Sequence, residues 1–419
     1  MTTPSDLVVR ELAARLARGP ARPLAVAFSG GGDSLALLLA TKAWADRVGR
    51  RLVAFTVDHR LQPASAAWSS WCVARASRLG VECQVLPWES PKPPLGLPAA
   101  ARAARHRLIA QAARRTGAQV VLFGHTADDV VESRLMRAEG VRVSAPSIWS
   151  PSPVWPEGRG VFILRPLIEA RRAAVRDWLI SRGETWIDDP ANTDDRHPRA
   201  GVRARISETS EALEPNSRAC PSVAHLMART RFGAAGDISV DRQSLNGAPG
   251  AQRFLAAALV CASGGDVPPR GAGVRRLIDR IAGEVDFSAT LCGTRLAAGE
   301  AVRLAREVGD TRARPSLSVA LAAGEVLVWD GRFEVLAHAD GLTLAPLAGY
   351  AARLGKDARA RLAQLHPAAR SALPAVIDKN GAVGCPTLLA DPRLEIRSLI
   401  PGRLAAACGT IYEETGLER

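Results

Sequence analysis

The chain has 419 residues, of which 47% are hydrophobic, 23% charged and 5% aromatic, and its formal net charge is +13. That composition is globular rather than disordered and is long enough for two or three domains. It contains no apolar run near the ~18–20 residues of a membrane span and no secretory leader pattern.

The basic excess points to an anionic partner, with nucleic acid the first candidate. Only four lysines occur, so arginine carries nearly all of this charge. The seven cysteines are scattered and form no C-x-x-C pair. They read as reduced thiols in a cytoplasmic protein rather than a disulfide, zinc or iron–sulfur framework.

The start of the chain reads as an amphipathic helix. Leu24–Phe28 then has a buried-strand pattern, followed by a Gly-rich turn and an apolar helix from Ser34. Further strands are expected at Arg51–Val57, Gln84–Leu86, Gln119–Phe123 and Val161–Leu164. Helical patterns lie between and after them at Ala64–Leu79, Pro98–Thr116, Thr126–Arg137 and Ala170–Arg182. Strands alternating with helices predict an α/β domain with a parallel sheet covered on both faces. Ligands of such sheets bind beyond the carboxyl ends of the strands.

Ala145–Gly160 is rich in Pro and Ser and reads as a long loop. The composition shifts after about Ile206. Residues 211–419 carry helical patterns at Ala251–Ala262 and Val274–Ile281, and strand-like pieces at Val326–Trp329, Phe333–Leu336 and Leu342–Leu344. These imply a second, α or α+β region, divided from a catalytic domain at about residue 210.

The strongest chemical signal is Ser29-Gly30-Gly31-Gly32-Asp33-Ser34, between a strand and a helix. Consecutive glycines permit close backbone approach, and the helix N-terminus offers N–H groups to a phosphate. No Lys follows, so this is not a Walker A loop. Read plainly, it is a Gly turn with Asp33 or Ser34 capping the helix.

Val57-Asp58-His59-Arg60-Leu61-Gln62-Pro63 follows the second strand. Gly124-His125-Thr126-Ala127-Asp128-Asp129 follows the fourth, with Glu132 one turn later. Asp128 and Asp129 suit a helix's first turn; beside a phosphate loop, paired carboxylates also suit Mg²⁺.

The S-G-G-x-D-S loop resembles the PP-loop of ATP pyrophosphatases, which cleave ATP between its α- and β-phosphates. Together with Val57–Pro63, Ala99–Arg105, Gly124–Asp129, Arg165-Pro166-Leu167 and Trp186–Asn192, it resembles the tRNA(Ile)-lysidine synthetases over most of residues 22–205. Weaker similarity continues at Cys292–Arg306 and Val328–Val335. The chain departs from the family pattern at Gly96 and Pro98, and at His106, where an aromatic is usual. It departs again at Glu139–Val141 and His197–Arg203.

The resemblance implies an adenine-nucleotide-hydrolase-like catalytic domain that uses ATP and Mg²⁺. Its RNA substrate would be the minor isoleucine tRNA with anticodon CAU. Such enzymes adenylate C2 of the wobble cytidine and then let free lysine displace AMP.

Carried over by residue, Ser29–Ser34 would cradle ATP, and Asp33 and Asp129 would organise the metal. Arg102 and Arg105, at i and i+3 on one helix, would face developing pyrophosphate. Asp128 and Glu132 would hold lysine. Arg171, Arg172, Arg199, Arg203 and Arg205 would contact tRNA phosphates.

The nearest rival is a PP-loop tRNA thiolase, which also adenylates a base, but Cys72 and Cys83 lack the usual cysteine arrangement. A small-molecule PP-loop ligase would need an ammonia source. A basic RNA-binding protein with a decayed nucleotide site would not keep the loop and the Asp pair intact. Residues 1–210 hold 30 Lys+Arg against 20 Asp+Glu, whereas 211–419 hold 25 against 22. The excess thus lies on the half bearing the loop, as a tRNA footprint would.

Overall fold

A computed structural model describes residues 2–17, 22–141, 143, 145–188, 223–283, 285–307, 309 and 317–418. They form two compact units, residues 1–218 with 411–419 and residues 219–410.

The first unit begins with α1 (Pro4–Arg15), whose N-cap Thr3 and Asp6 form a capping box. Next come β1 (Leu24–Ala27), α2 (Gly32–Val48), β2 (Leu52–Asp58), α3 (Ser65–Arg78), β3 (Glu82–Pro87) and α4 (Leu97–Thr116). β4 (Val120–Leu122), α5 (Ala127–Ala138), β5 (Trp149–Pro151), β6 (Phe162–Leu164) and α6 (Arg172–Ile180) complete the series.

The strand order is β3-β2-β1-β4-β6-β5. All pairs are parallel except β5 with β6. The chain builds outward from β1 to one side and then to the other, so the crevice beyond β1 and β4 is the switch point where ligands bind in such sheets.

Period-2 alternation explains the two-sided core. Leu24, Val26, Ala54 and Leu122 face a cluster that includes α1 and α2 residues, while Ala25, Val53, Phe55 and Val121 face α4 through Ile109, Ala112 and Ala113. α2 is covered on several sides, which is why Leu35, Ala36, Leu37 and Leu38 are all buried in sequence.

Two differences from expectation stand out. Ala145–Gly160 is not all loop: Trp149–Pro151 is an edge strand, too short to produce a readable alternation. The last nine residues pack within the first unit, although their sequence position groups them with the second half. The anchor is Glu414, whose carboxylate accepts from the two terminal Arg50 guanidinium nitrogens, at 2.8 and 2.5 Å, and from the Ala17 N–H at 3.0 Å. Both partners of this ion pair are buried.

The second unit is α+β. Helices Ala251–Ser263, Gly271–Ala282 and Ile400–Cys408 share a core with strands of a five-stranded antiparallel sheet. Four- and three-stranded antiparallel sheets complete it.

The Trp329-Asp330-Gly331-Arg332-Phe333 segment turns one hairpin of this unit. Asp330 Oδ2 accepts from Arg306 Nε at 3.0 Å and Arg332 Nε at 2.8 Å, all three side chains being fully buried. Arg332 also donates to the carbonyls of Ala235 and Ala372. Asp330 and Arg332 together therefore tie their own hairpin to three other stretches of chain. No helix among the described residues is long and apolar enough to cross a membrane.

Candidate active site

A cavity of about 1390 Å³ opens at the carboxyl ends of β1, β2 and β4. Sites for one small molecule usually span roughly 300–1,000 Å³, so this one has room for more than one ligand.

Its floor is the Ser29–Ser34 loop. The N-cap of α2 is Gly31 and has no side-chain cap, so neither Asp33 nor Ser34 caps the helix. Ser34 Oγ instead donates to the Gly31 carbonyl at 2.9 Å and accepts from the Ser29 N–H at 3.2 Å, tying the loop to itself. Asp33 sits in the first turn and lines the cavity.

Gly30 has φ +85°, and a Cβ there would lie 2.6 Å from Ile187 Cδ1. Ile187 N–H donates to the Gly30 carbonyl, holding residue 187 against the loop. Gly124 meets the loop from the other side. A Cβ there would lie 2.8 Å from the Asp33 carbonyl oxygen, and backbone against backbone cannot yield cheaply. Gly124→Ala is expected to cost about 1–3 kcal/mol in stability, read by denaturant melts, because the loop must shift. A variant as stable as wild type would show that the loop has slack.

The acids gather on one wall. Asp129 is both the capping-box residue of α5 and a cavity residue: Oδ2 accepts from Thr126 N–H at 2.7 Å, and Oδ1 faces Arg172 Nη2 at 3.3 Å. Arg172 Nε reaches Asp33 Oδ2 at 3.1 Å, and Nη1 lies 3.6 Å from Glu132 Oε1. Asp128 Oδ2 accepts the Arg172 backbone N–H at 2.8 Å, and Oδ1 pairs with Arg171 at 3.3 Å.

Burial pushes the Asp33 carboxyl up, Arg172 opposes the shift and Asp129 adds to it; the balance is about 6. Burial pulls the Arg172 guanidinium down, but Asp129, Asp33 and Glu132 outweigh it and hold it above its ordinary value.

The opposite wall is cationic. Arg102 and Arg105 of α4 line the cavity with His59 and His125. Arg165, just beyond β6, donates from Nε to His125 Nδ1 at 3.0 Å. Burial, then Arg102 and Arg105, lowers Arg165 to about 10. Burial, then Arg105, Arg102 and Arg165, pushes His106 down to about 2. His106 is thus a neutral, buried ring. It stacks on Phe123 at 5.3 Å and fills the place where the resemblance leads one to expect an aromatic. Three arginines acting on one another in a half-buried wall create a strong positive potential, which suits a polyphosphate.

The structure thus brings together Ser29, Gly31, Gly32, Asp33, Ser34, Arg102, Arg105, Asp128, Asp129 and Glu132. Arg172, expected to contact tRNA phosphate, is a half-buried clamp among three acids and lines the cavity. Arg171 pairs with Asp128 at the edge of the same group. Arg199, Arg203 and Arg205 lie outside the described residues. Arg165 had no role assigned from sequence, although the Arg165-Pro166-Leu167 motif marked its position; its bond to His125 brings it to the cavity's edge.

No group of three or more His, Cys, Asp or Glu able to hold a metal ion occurs among the described residues. Mg²⁺ does not need such a cage, since it binds through one or two carboxylates plus phosphates and water. Asp33 and Asp129, sharing one guanidinium beside a cationic wall, fit that requirement.

A family model described as a PP-loop domain matches residues 4–210. A tRNA(Ile)-lysidine synthase of Caulobacter vibrioides is 44% identical over 98% of this chain and 99% of its own length. Another, from Hyphomonas neptunium, is 36% identical over 76% of this chain and 90% of its own. Among solved structures, a U34-tRNA thiolase of Methanococcus maripaludis covers 52% of this chain and 82% of its own at 15% identity. Its TM-score is 0.37, a likeness too low to bear on activity or substrate.

Proposed function

The chain belongs to the tRNA(Ile)-lysidine synthase family, and from that premise we propose that its cavity ligates free L-lysine to C2 of the wobble cytidine of CAU-anticodon isoleucine tRNA. The observation that carries the reading is the polarised cavity, with cations on one wall, carboxylates on the other and a phosphate-type loop between.

ATP lies with its phosphates against the α2 N-terminus and along Arg102 and Arg105. The cytidine O2 attacks the α-phosphorus, the bond to the β-phosphate oxygen breaks, and pyrophosphate leaves towards the arginine wall. The lysine amine, freed of a proton, then attacks C2, and AMP leaves with O2. Asp128 and Glu132 hold the lysine; Arg172, already among the acids, keeps their mutual repulsion in check. Mg²⁺, held by Asp33 and Asp129, supplies neutralising charge on the phosphates. Residues 1–210 form the catalytic domain, joined by 411–419, and the second unit, residues 219–410, positions the tRNA. Arg171, Arg199, Arg203 and Arg205 are its phosphate contacts.

Incubation with ATP, Mg²⁺, lysine and this tRNA, followed by digestion and mass spectrometry, is expected to show one lysine added to the wobble cytidine with loss of water. An active preparation that releases pyrophosphate but leaves no adduct would overturn the reading. A sulfur adduct would assign the chain to the thiolases.

A further inference from the structure

We propose that the C-terminal residues 411–414 are a positioning element of the nucleotide site, acting through β5 and Arg165. The inference rests on reading the cavity as an ATP site.

The link is continuous. Glu414 anchors the tail on Arg50 and Ala17, and Arg15 Nη1 donates to the Tyr412 carbonyl at 3.2 Å. So fixed, the tail presents the Ile411 carbonyl to the indole N–H of Trp149, 2.9 Å away. Trp149 opens β5, a three-residue edge strand ending in Pro151, and stacks on Phe162 at 5.1 Å.

Such a strand is weakly held by its own ladder. Its flanks nevertheless hold a buried cation: Arg165 Nη1 donates to the Ser147 carbonyl at 2.7 Å and to Ser150 Oγ at 3.0 Å. The third point of that guanidinium, Nε, holds His125, which lines the cavity.

The tail therefore sets where β5 lies, β5 sets where the Arg165 charge lies, and Arg165 orients the ring at the anion side of the cavity. Arg165 sits among Arg102 and Arg105. A small displacement of its charge therefore changes the potential that a triphosphate meets.

The test is the ATP dissociation constant of the full chain, by calorimetry. Trp149→Phe keeps the stacked ring and removes the N–H, while Ser150→Ala removes one acceptor of Arg165. Each is expected to weaken ATP binding about fivefold, the value of one hydrogen bond of ~1 kcal/mol. Because both act on one relay, the double variant is expected to be little weaker than the stronger single variant. Independent effects would multiply to about 25-fold. Ser150→Thr, which keeps the hydroxyl, is expected to restore binding.

A Trp149→Phe chain that melts lower than wild type yet binds ATP within about twofold of it would overturn the proposal, since the strand would then be scaffold only. If Trp149→Phe does not fold, Glu414→Gln, which loosens the anchor, is read by the same criterion. A wild-type chain that binds no ATP refutes the reading of the cavity instead.

Discussion

Asp33→Ala is expected to lower turnover by at least ~10²–10³-fold, the scale of losing a placed charge at a reacting centre. tRNA binding is expected to stay near the wild-type level. The carboxylate projects from the first turn of α2 into the cavity, where it faces Arg172 and neighbours Asp129. It is largely buried in the cavity wall rather than on an open surface. Pyrophosphate release and a filter-binding titration of tRNA separate the two effects. Equal loss of both would mean that Asp33 organises the RNA rather than the nucleotide.

The same residue gives a pH signature in the absence of nucleotide and divalent ions. Its carboxyl lies at about 6 in the folded chain, against an ordinary value of ~3.9. Across that window the folded chain keeps a proton that the unfolded chain has released. Stability from this group therefore falls as pH rises through the window. The alanine variant should lack that downward slope.

Asp330→Ala is expected to cost about 3–5 kcal/mol of stability, because it strands two buried guanidinium groups. Arg306 and Arg332 both direct Nε at the same carboxylate oxygen. Burial already holds the Arg332 guanidinium below its ordinary value, with Asp330 opposing the shift and Arg306 reinforcing it. Urea melts followed by tryptophan fluorescence suit this test, since Trp329 is the neighbouring residue and donates to the Leu317 carbonyl. Replacing all three charged residues with apolar ones of similar volume should cost much less. A single variant losing under ~1 kcal/mol would show that the cluster is not the tie it resembles.

The parallel sheet was legible because each of its buried strands carries an unbroken apolar run bounded by turn residues, as Leu24–Ala27 does. The phosphate loop was legible because its chemistry is contiguous. The acid–arginine clamp was not. Arg172 meets carboxylates 139 and 43 residues earlier in the chain, and nothing in Arg171-Arg172 distinguishes a clamp from a surface pair. Asp129 reads from sequence as a first-turn acid, and it does sit there, but the capping bond of Oδ2 to Thr126 and the reach of Oδ1 to Arg172 are tertiary detail that no local pattern carries. β5 escaped notice because Trp149-Ser150-Pro151 is shorter than two periods of a strand.

The Arg50–Glu414 pair has a consequence for synthesis. The two residues stand 364 positions apart. At ~5–20 residues per second, a ribosome takes roughly 20–70 s to travel between them. Throughout that interval the nascent first unit carries a cation destined for burial with no carboxylate to meet it. Its sheet can form early, but its closing ion pair waits until residue 414 has been made. The unit begun first thus closes late, and a chain cut short before residue 414 leaves that unit unlatched.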